Sequence, residues 1–313
     1  MSKKSISAVL DALGHAGAAY SVEPLPGSYS NFTHTLRIER EGAEPRKIVV
    51  RRYNPENDEE GHDKPACECH ALRLLRGHGI PVPPPLLLDA DGNLLGLPGI
   101  VTALLPGRQI EPPIDAPRWG KMAATNARML ARIHRTPFSD ADKSFLMNDD
   151  VEVAWFIKEA VIPDYMREDP DGDMIWHLIN EHWHQRQHTA PRFQHTDYWS
   201  GNILWLGDEI SAVVDWEEAG YGDPACDVAY ARMEYFLEGL PEAADTFLRV
   251  YQAETGWALP NLAVSELAAS VRPMTDPASW FTRPRMEARY RQFIADAKRR
   301  LVTSFRKQSM KSG

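Results

Sequence analysis

The run Phe193-Gln194-His195-Thr196-Asp197-Tyr198-Trp199-Ser200-Gly201-Asn202, then Ile203-Leu204-Trp205-Leu206, Gly207-Asp208 and Glu209-Ile210-Ser211-Ala212-Val213-Val214-Asp215, decides the fold. Two short runs of β-formers on either side of a Gly-Asp pair read as a β-hairpin. A hairpin fixes its two ends side by side, so Asn202 at one strand and Asp215 at the other can meet. Their oxygens can share a magnesium ion, which takes hard ligands and leaves positions for water and phosphate oxygens. Asp197, on the loop before the hairpin, is then free to accept a proton from an attacking hydroxyl. His-x-Asp, four residues, Asn, and a distal Asp is the spacing of a phosphoryl-transfer site.

Working outward, the first third of the chain is rich in strand signals. Thr33-His34-Thr35-Leu36-Arg37-Ile38 alternates, Gly42 sits in a charged turn, and Lys47-Ile48-Val49-Val50-Arg51-Arg52-Tyr53 reads as a strand stopped by Asn54-Pro55. Ahead of them, apolar positions from Ile6 to Ala18 recur at helical spacing, weakened by Gly14. Residues 65–77 predict a helix, with Pro65 near its start and Cys69, Leu72 and Leu75 on one face. Ile80-Pro81-Val82-Pro83-Pro84-Pro85 must be extended. Leu86-Leu87-Leu88 and Gly99-Ile100-Val101-Thr102 bracket a turn at Asp89-Ala90-Asp91-Gly92-Asn93 and predict a second hairpin.

Leu105-Pro106-Gly107 breaks this pattern. We place the boundary there, with residues 1–105 forming a small strand-rich part and residues 106–313 a large, mainly helical one. Helical periodicity covers 118–135, 151–162, 173–188, 224–239, 241–254 and 283–305. All 9 tryptophans lie from Trp119 onward, which marks the same change of character. The expected fold class is α+β, with strands and helices segregated into two lobes.

With 313 residues, 43% of them hydrophobic, the chain can bury a large core. Its 35 Lys+Arg against 44 Asp+Glu give a net charge of -9, which argues against a nucleic-acid partner. No apolar run approaches the roughly 20 residues of a membrane span. Cys67, Cys69 and Cys226 make no disulfide framework and no complete zinc set, so a reducing compartment is expected. With no signal-like apolar start, that compartment is the cytoplasm. Nothing in the sequence specifies an oligomeric state.

The chain resembles the aminoglycoside phosphotransferase-like kinases, a broad family of small-molecule kinases that includes antibiotic kinases and relatives of choline kinase and homoserine kinase. The likeness is carried by His195-Thr196-Asp197 through Asn202. It continues in Val213-Val214-Asp215-Trp216-Glu217-Glu218-Ala219-Gly220-Tyr221-Gly222-Asp223-Pro224-Ala225-Cys226-Asp227-Val228-Ala229, similar to the family's Asp-Trp-x5-Gly-Asp-Pro-x-x-Asp-Leu-Ala run. The resemblance implies a two-lobed, protein-kinase-like fold with ATP between the lobes. It implies transfer of the γ-phosphate of ATP, with Mg2+, to a hydroxyl of a small molecule. Asp197 would be the catalytic base, Asn202 and Asp215 the magnesium ligands, and Asp227 the residue that opens and braces the next helix.

Other segments carry the resemblance further. Gly27-Ser28-Tyr29-Ser30-Asn31-Phe32 looks like the family's phosphate-covering loop, in which Ser30, Asn31 and their amides hydrogen-bond ATP. Ile48-Val49-Val50-Arg51 occupies the place of Val-Ala-Ile-Lys. Strand alternation puts Val49 and Arg51 on one face, the first toward adenine and the second toward phosphate. Most relatives carry Lys at this place, and arginine presents a wider planar fork. Glu68 stands where the family's ion-pair partner to that strand residue would be; a surface glutamate is the other reading. Ile100-Val101-Thr102-Ala103-Leu104 resembles the interlobe connector whose backbone meets the adenine edge, which gives Thr102, Ala103 and Leu104 as nucleotide contacts.

Several signals point elsewhere. His182, His184 and His188 cluster with Glu181, but without a His-Glu-x-x-His they read as a solvated helical face. There is no Gly-x4-Gly-Lys-Ser/Thr and no Gly-x-Ser-x-Gly, which excludes a P-loop kinase and disfavours an esterase. Residues 148–173 are acidic, with Trp155, Phe156 and Tyr165 interleaved. They form either an acceptor surface for amines and sugar rings or a solvated face over a buried aromatic stripe. A protein Ser/Thr kinase is a rival reading. Against it stand Asp215-Trp216-Glu217 in place of Asp-Phe-Gly, no Ala-Pro-Glu, and too little chain for an activation segment before Gly222-Asp223-Pro224. A catalytically silent nucleotide-binding protein is the other rival, kept open by Arg51. The acceptor itself is not legible, because specificity resides in the helical part.

Overall fold

The computed structural model describes residues 1–25, 31–57, 62–110, 115–148 and 161–309. The chain divides into two compact units, and neither is one continuous stretch. The first comprises Met1–Arg108, Ser139–Leu146 and Ile203–Ala219; the second comprises Gln109–Phe138, Met147–Asn202 and Gly220–Gly313. A single cut at 105/106 lies close to the first crossover but assigns the 203–219 segment to the helical part, whereas the structure groups it with the first unit.

In the first unit, β1 (Tyr20–Pro24), β2 (Phe32–Arg40), β3 (Ala43–Arg52), β4 (Pro85–Asp89) and β5 (Gly99–Ala103) form an antiparallel sheet in the order β1-β2-β3-β5-β4. Helix α1 (Lys3–Ala12) packs Ile6, Val9 and Leu10 against Leu36, Ile38, Ile48, Val50 and Val101. Each such side chain contributes about 1.5–3 kcal/mol on burial. The helix expected over 6–18 starts earlier and ends sooner. Ser2 Oγ accepts the Ser5 N–H at its start, and Gly14 and Gly17 adopt φ of 75° and 72° beyond its end, a conformation no helix continues through.

Helix α2 (Lys64–Gly77) is capped by Asp63, whose Oδ1 accepts the Ala66 N–H at 3.0 Å. Its Cys67 and Cys69 are buried, and Cys67 donates from Sγ to the Ala219 carbonyl at 3.4 Å. Strands β8 (Ile203–Leu206) and β9 (Glu209–Val213) pair as the expected hairpin, with Gly207 at φ 66° in the turn. The hairpin is tied to the extended proline segment by the Val213 N–H, which donates to Pro81 O at 2.8 Å. The 139–146 segment docks on α2 through His70 and Asp142, 2.8 Å apart, and through Phe145 stacked on His70.

The second unit holds α3 (Ala116–His134), α4 (Gly172–His182), α5 (Ala225–Leu237), α6 (Pro241–Thr255), α7 (Leu262–Ala269) and α8 (Met286–Ser309). A small sheet of β6 (Met147–Asn148), β10 (Gly220–Gly222) and β7 (Arg192–Gln194), in the order β6-β10-β7, sits among them. Helix α5 is buried along nearly all its length, including Arg232. That cation binds Glu266 at 2.6 Å, Asp245 at 3.1 Å, Asp296 at 3.2 Å and the Ala244 carbonyl at 2.8 Å, joining α5 to α6, α7 and α8. The helix expected over 173–188 stops at His182, where a 3-10 turn at Trp183–Gln185 redirects the chain and Gln187 pairs with Asn261. Most of the helix expected over 151–162 lies outside the described residues, as do Trp155 and Phe156. Among the described residues no helix is long and apolar enough to cross a membrane.

Candidate active site

The 195–202 loop takes its shape from a buried carboxylate. Asp227, in the first turn of α5, accepts the His195 N–H at 2.8 Å and the Thr196 N–H at 2.7 Å, and its Oδ2 lies 2.9 Å from His134 Nε2. Asp227 therefore reaches back to the loop rather than bracing only its own helix. Thr196 sits at φ 68°, left-handed backbone that costs a β-branched residue about 1–3 kcal/mol, and these bonds hold it there. Burial works against the Asp227 charge, but the His134 hydrogen bond and the neighbouring histidines outweigh it and keep the carboxyl below its ordinary range.

Asp197 follows directly. Asn202, at the end of a 3-10 turn, donates from Nδ2 to Asp197 Oδ2 at 2.8 Å and to its carbonyl at 2.9 Å. The Oδ1 atom faces Arg272 Nη1 at 3.4 Å, while Arg272 Nη2 donates to the Thr196 carbonyl at 2.9 Å. The Arg272 guanidinium lies over the Tyr230 ring, 4.4 Å from its centroid. Tyr230 and Glu234 stand one turn apart on α5. Burial, then the Asp197 charge, push the Glu234 carboxyl up to about 8 and the Tyr230 phenol well above its usual range.

The first unit carries a second constellation. Arg51 Nη1 stands 2.5 Å from Asp215 Oδ1, 3.3 Å from Glu217 Oε2 and 3.4 Å from Glu68 Oε2. Glu68 is buried, which overturns the surface reading, and it also receives the Tyr53 hydroxyl. Burial works against the Arg51 charge, yet Asp215 and its fellow carboxylates hold the guanidinium firmly protonated. Glu217 is pushed up to about 8, first by burial and then by Asp215. Asp215 itself sits at φ 69°, a second left-handed residue at a functional position.

The remaining expected contacts fall as follows. Ser30 lies outside the described residues. Asn31 donates from Nδ2 to Glu217 at 2.5 Å and accepts the Asn54 N–H at 3.2 Å, which places it beside the Arg51 cluster. Val49 shares the Arg51 face of β3, opposite buried Ile48 and Val50, and pairs with Thr102 across the sheet. The Ala103 N–H donates to Pro84 O at 2.9 Å and the Leu104 N–H to Lys47 O at 3.3 Å, so both connector amides are engaged by the sheet.

The structure thus brings Asp197 to Asn202 in one unit, and Arg51, Glu68, Asp215 and Asn31 together in the other. Sequence reasoning assigned no role to Glu217, Tyr53, His134, Tyr230, Glu234 or Arg272. Glu217 stands two residues past Asp215, and Tyr230 and Glu234 have helical i,i+4 spacing just past Asp227. Those were the available signals.

A model of the phosphotransferase enzyme family matches residues 21–262. The chain belongs to this family. It is similar to the 4-hydroxytryptamine kinase of Psilocybe cyanescens, 24% identical over 70% of this chain and 68% of that protein. Among solved structures, a candidate aminoglycoside phosphotransferase of Ralstonia eutropha JMP134 is 17% identical, with a TM-score of 0.65 over 97% of this chain and 98% of that one. Amicoumacin kinase hAmiN, in complex with AMP-PNP, Ca2+ and Ami, is 15% identical, with a TM-score of 0.57 over 89% of this chain and 88% of that one. At such identities the structural likeness speaks for the fold, which is the α+β kinase-like fold of the phosphotransferase family, strand-rich first and helical after. The family match ends before Arg272, although that residue touches Asp197.

Proposed function

We propose that this phosphotransferase moves the γ-phosphoryl group of ATP, with Mg2+, to a hydroxyl of a small-molecule acceptor. The observation that carries this reading is the restraint on Asp197. Its Oδ2 is held by Asn202, on a loop whose amides are bound by Asp227, so the carboxylate is aimed before any substrate arrives. The nucleotide analogue and divalent ion bound by hAmiN, and the hydroxylated amine named for the P. cyanescens kinase, support the same chemistry.

In the proposed reaction Asp197 accepts the proton of the acceptor hydroxyl. The hydroxyl oxygen bonds to the γ-phosphorus while the bond from that phosphorus to the β–γ bridging oxygen breaks, and ADP leaves with the electron pair. Arg51 turns its fork to phosphate oxygens, with Glu68 and Tyr53 setting its direction. Asn31 hydrogen-bonds the phosphates, and Val49 with the Thr102, Ala103 and Leu104 segment receives adenine. Asn202 suits a metal ion because its nitrogen is engaged by Asp197 and its oxygen is offered, and Asp215 adds a carboxylate. When bound there, Mg2+ supplies charge neutralisation for the phosphates. The three free cysteines accord with a reducing cytoplasm.

The test is Mg2+-dependent ADP release over a panel of hydroxylated amines, sugars and antibiotics, with Asp197→Ala beside the wild type. An acceptor that raises release only in the wild type establishes the reaction and names its class. Tight AMP-PNP binding with no turnover on any acceptor favours a silent nucleotide binder, and no nucleotide binding sinks the proposal.

A further inference from the structure

We infer that Arg272 is a positioning residue for phosphoryl transfer, orienting Asp197 from a segment beyond the family-defining part of the chain; this rests on Asp197 being the base.

The two oxygens of Asp197 face different donors. Asn202 holds Oδ2 at 2.8 Å, Arg272 Nη1 faces Oδ1 at 3.4 Å, and the Tyr230 hydroxyl also hydrogen-bonds this carboxylate. The second Arg272 nitrogen, Nη2, donates to the Thr196 carbonyl at 2.9 Å. The Thr196 residue is therefore held from both ends, its N–H by Asp227 and its carbonyl by Arg272. Thr196 is also the left-handed residue of the loop, so the direction in which Asp197 leaves the backbone depends on that restraint. One planar guanidinium thus fixes the backbone before the base and the base itself, with its face laid on Tyr230.

Two further observations separate this from an ordinary ion pair. The Arg272 side chain is 41% exposed and that of Asp197 29%, so no buried charge is stranded when Arg272 is removed. The backbone that carries Arg272 is nevertheless anchored. Val271, Pro273 and Met274 around it are buried, and the Ser270 carbonyl accepts the Tyr290 hydroxyl at 2.5 Å. An exposed head on an anchored stem suits orientation of a neighbour more than support of the core.

The full-length chain is assayed as wild type, Arg272→Ala, Arg272→Lys and Asp197→Ala. ADP release is measured in Mg2+ and ATP, with water as acceptor and with the best acceptor of the panel. AMP-PNP affinity and thermal unfolding are followed in parallel. Arg272→Ala is expected to lower kcat about 10- to 100-fold, the scale of a small misplacement at the reacting atoms. AMP-PNP affinity and the unfolding temperature stay at wild-type values. Lysine restores only part, because an ammonium cannot hold both oxygens in the same plane. Millimolar guanidinium restores ADP release to Arg272→Ala and not to Asp197→Ala.

Wild-type kcat in Arg272→Ala overturns the inference. So does a loss matched by weaker AMP-PNP binding and a lower unfolding temperature and unrelieved by guanidinium. Full activity in Asp197→Ala removes the base assignment and this inference together. An inactive Asp197→Ala beside a normal Arg272→Ala removes only the role of Arg272. A wild type that releases no ADP overturns both.

Discussion

Arg51 Nη1 lies 2.5 Å from Asp215 Oδ1, and the same nitrogen is within 3.4 Å of Glu217 and Glu68. One guanidinium nitrogen therefore serves three carboxylates in a buried setting. Lys64 Nζ adds a second cation 4.0 Å from Glu217 Oε1, yet burial and then the Asp215 charge still push the Glu217 carboxyl up to about 8.

Arg51→Ala leaves Asp215 and Glu68 without their cation and Glu217 with Lys64 alone. Removing one partner of a buried ion cluster destabilises by about 3–5 kcal/mol. Urea unfolding should show this loss, with AMP-PNP binding weakened as well. Arg51→Lys keeps the charge as a single point, and should retain more of both than alanine does. Equal stability of Arg51→Ala and wild type would contradict the network.

Glu217 makes stability depend on pH in a defined direction. Its folded value of about 8 lies above 4.5 for the unfolded group, so the native state holds a proton that the unfolded chain releases. The stabilisation is full below pH 4.5 and is lost as pH rises through 8. In the absence of metal and nucleotide, Glu217→Gln should flatten the fall of unfolding temperature across this window, and Glu234→Gln should do the same from the second unit. Superimposable profiles for wild type and both variants would rule this out.

Asp227→Asn tests the loop restraint. The variant places an amide where two backbone N–H groups donate, and leaving one of them without an acceptor costs about 1–3 kcal/mol. Its kcat should fall as Thr196 relaxes from φ 68°. The folded carboxyl of Asp227 lies below the ordinary 3.8, so its stabilisation is present above that value and is lost as pH falls through the folded one. The difference between variant and wild type should therefore shrink below about pH 4. A constant difference down to strong acid would argue against it.

Asn202→Ala and Asp215→Asn address the metal. As proposed ligands, Asn202→Ala loses its oxygen donor and Asp215→Asn loses its charge while keeping an amide oxygen, so the Mg2+ concentration for half-maximal ADP release should rise in both. Asn202→Ala also frees Asp197 Oδ2, and kcat should drop about 100-fold even at saturating Mg2+. Unchanged Mg2+ dependence in both would contradict the proposed metal role of these residues.

The parts legible in the sequence are those with local signatures. The β8–β9 hairpin follows from two β-rich runs around Gly207, and the contact of Asn202 with Asp197 lies within one short stretch. The alternation of β3 placed Val49 with Arg51 correctly, because Ile48 and Val50 face the core. Strand β1 lacks a strong alternating apolar face, and α7 is apolar on nearly every side, so neither carries the period by which it would be found.

Tertiary partners left no such trace. Asp227 meets a loop 31 residues away, and Arg272 meets Asp197 across 75. Nothing in the spacing of Val271-Arg272-Pro273 distinguishes it from an ordinary helix start. Glu68 was ambiguous for the same reason. Only the packing of α2 shows that it is buried beside Tyr53 and Arg51 rather than solvated.

The first unit is assembled from three separate stretches, the shortest of them held to α2 by His70 and Asp142. Neither unit is therefore encoded by one uninterrupted segment of the gene. A stop codon after Asn202 removes from the first unit the hairpin and the Asp215 that follows it. A fragment of residues 1–108 keeps Arg51 and Glu68 but not the carboxylate that Arg51 approaches most closely. A C-terminal cut anywhere before Asp215 thus takes from Arg51 its nearest carboxylate, and one before Asp197 removes the candidate base as well.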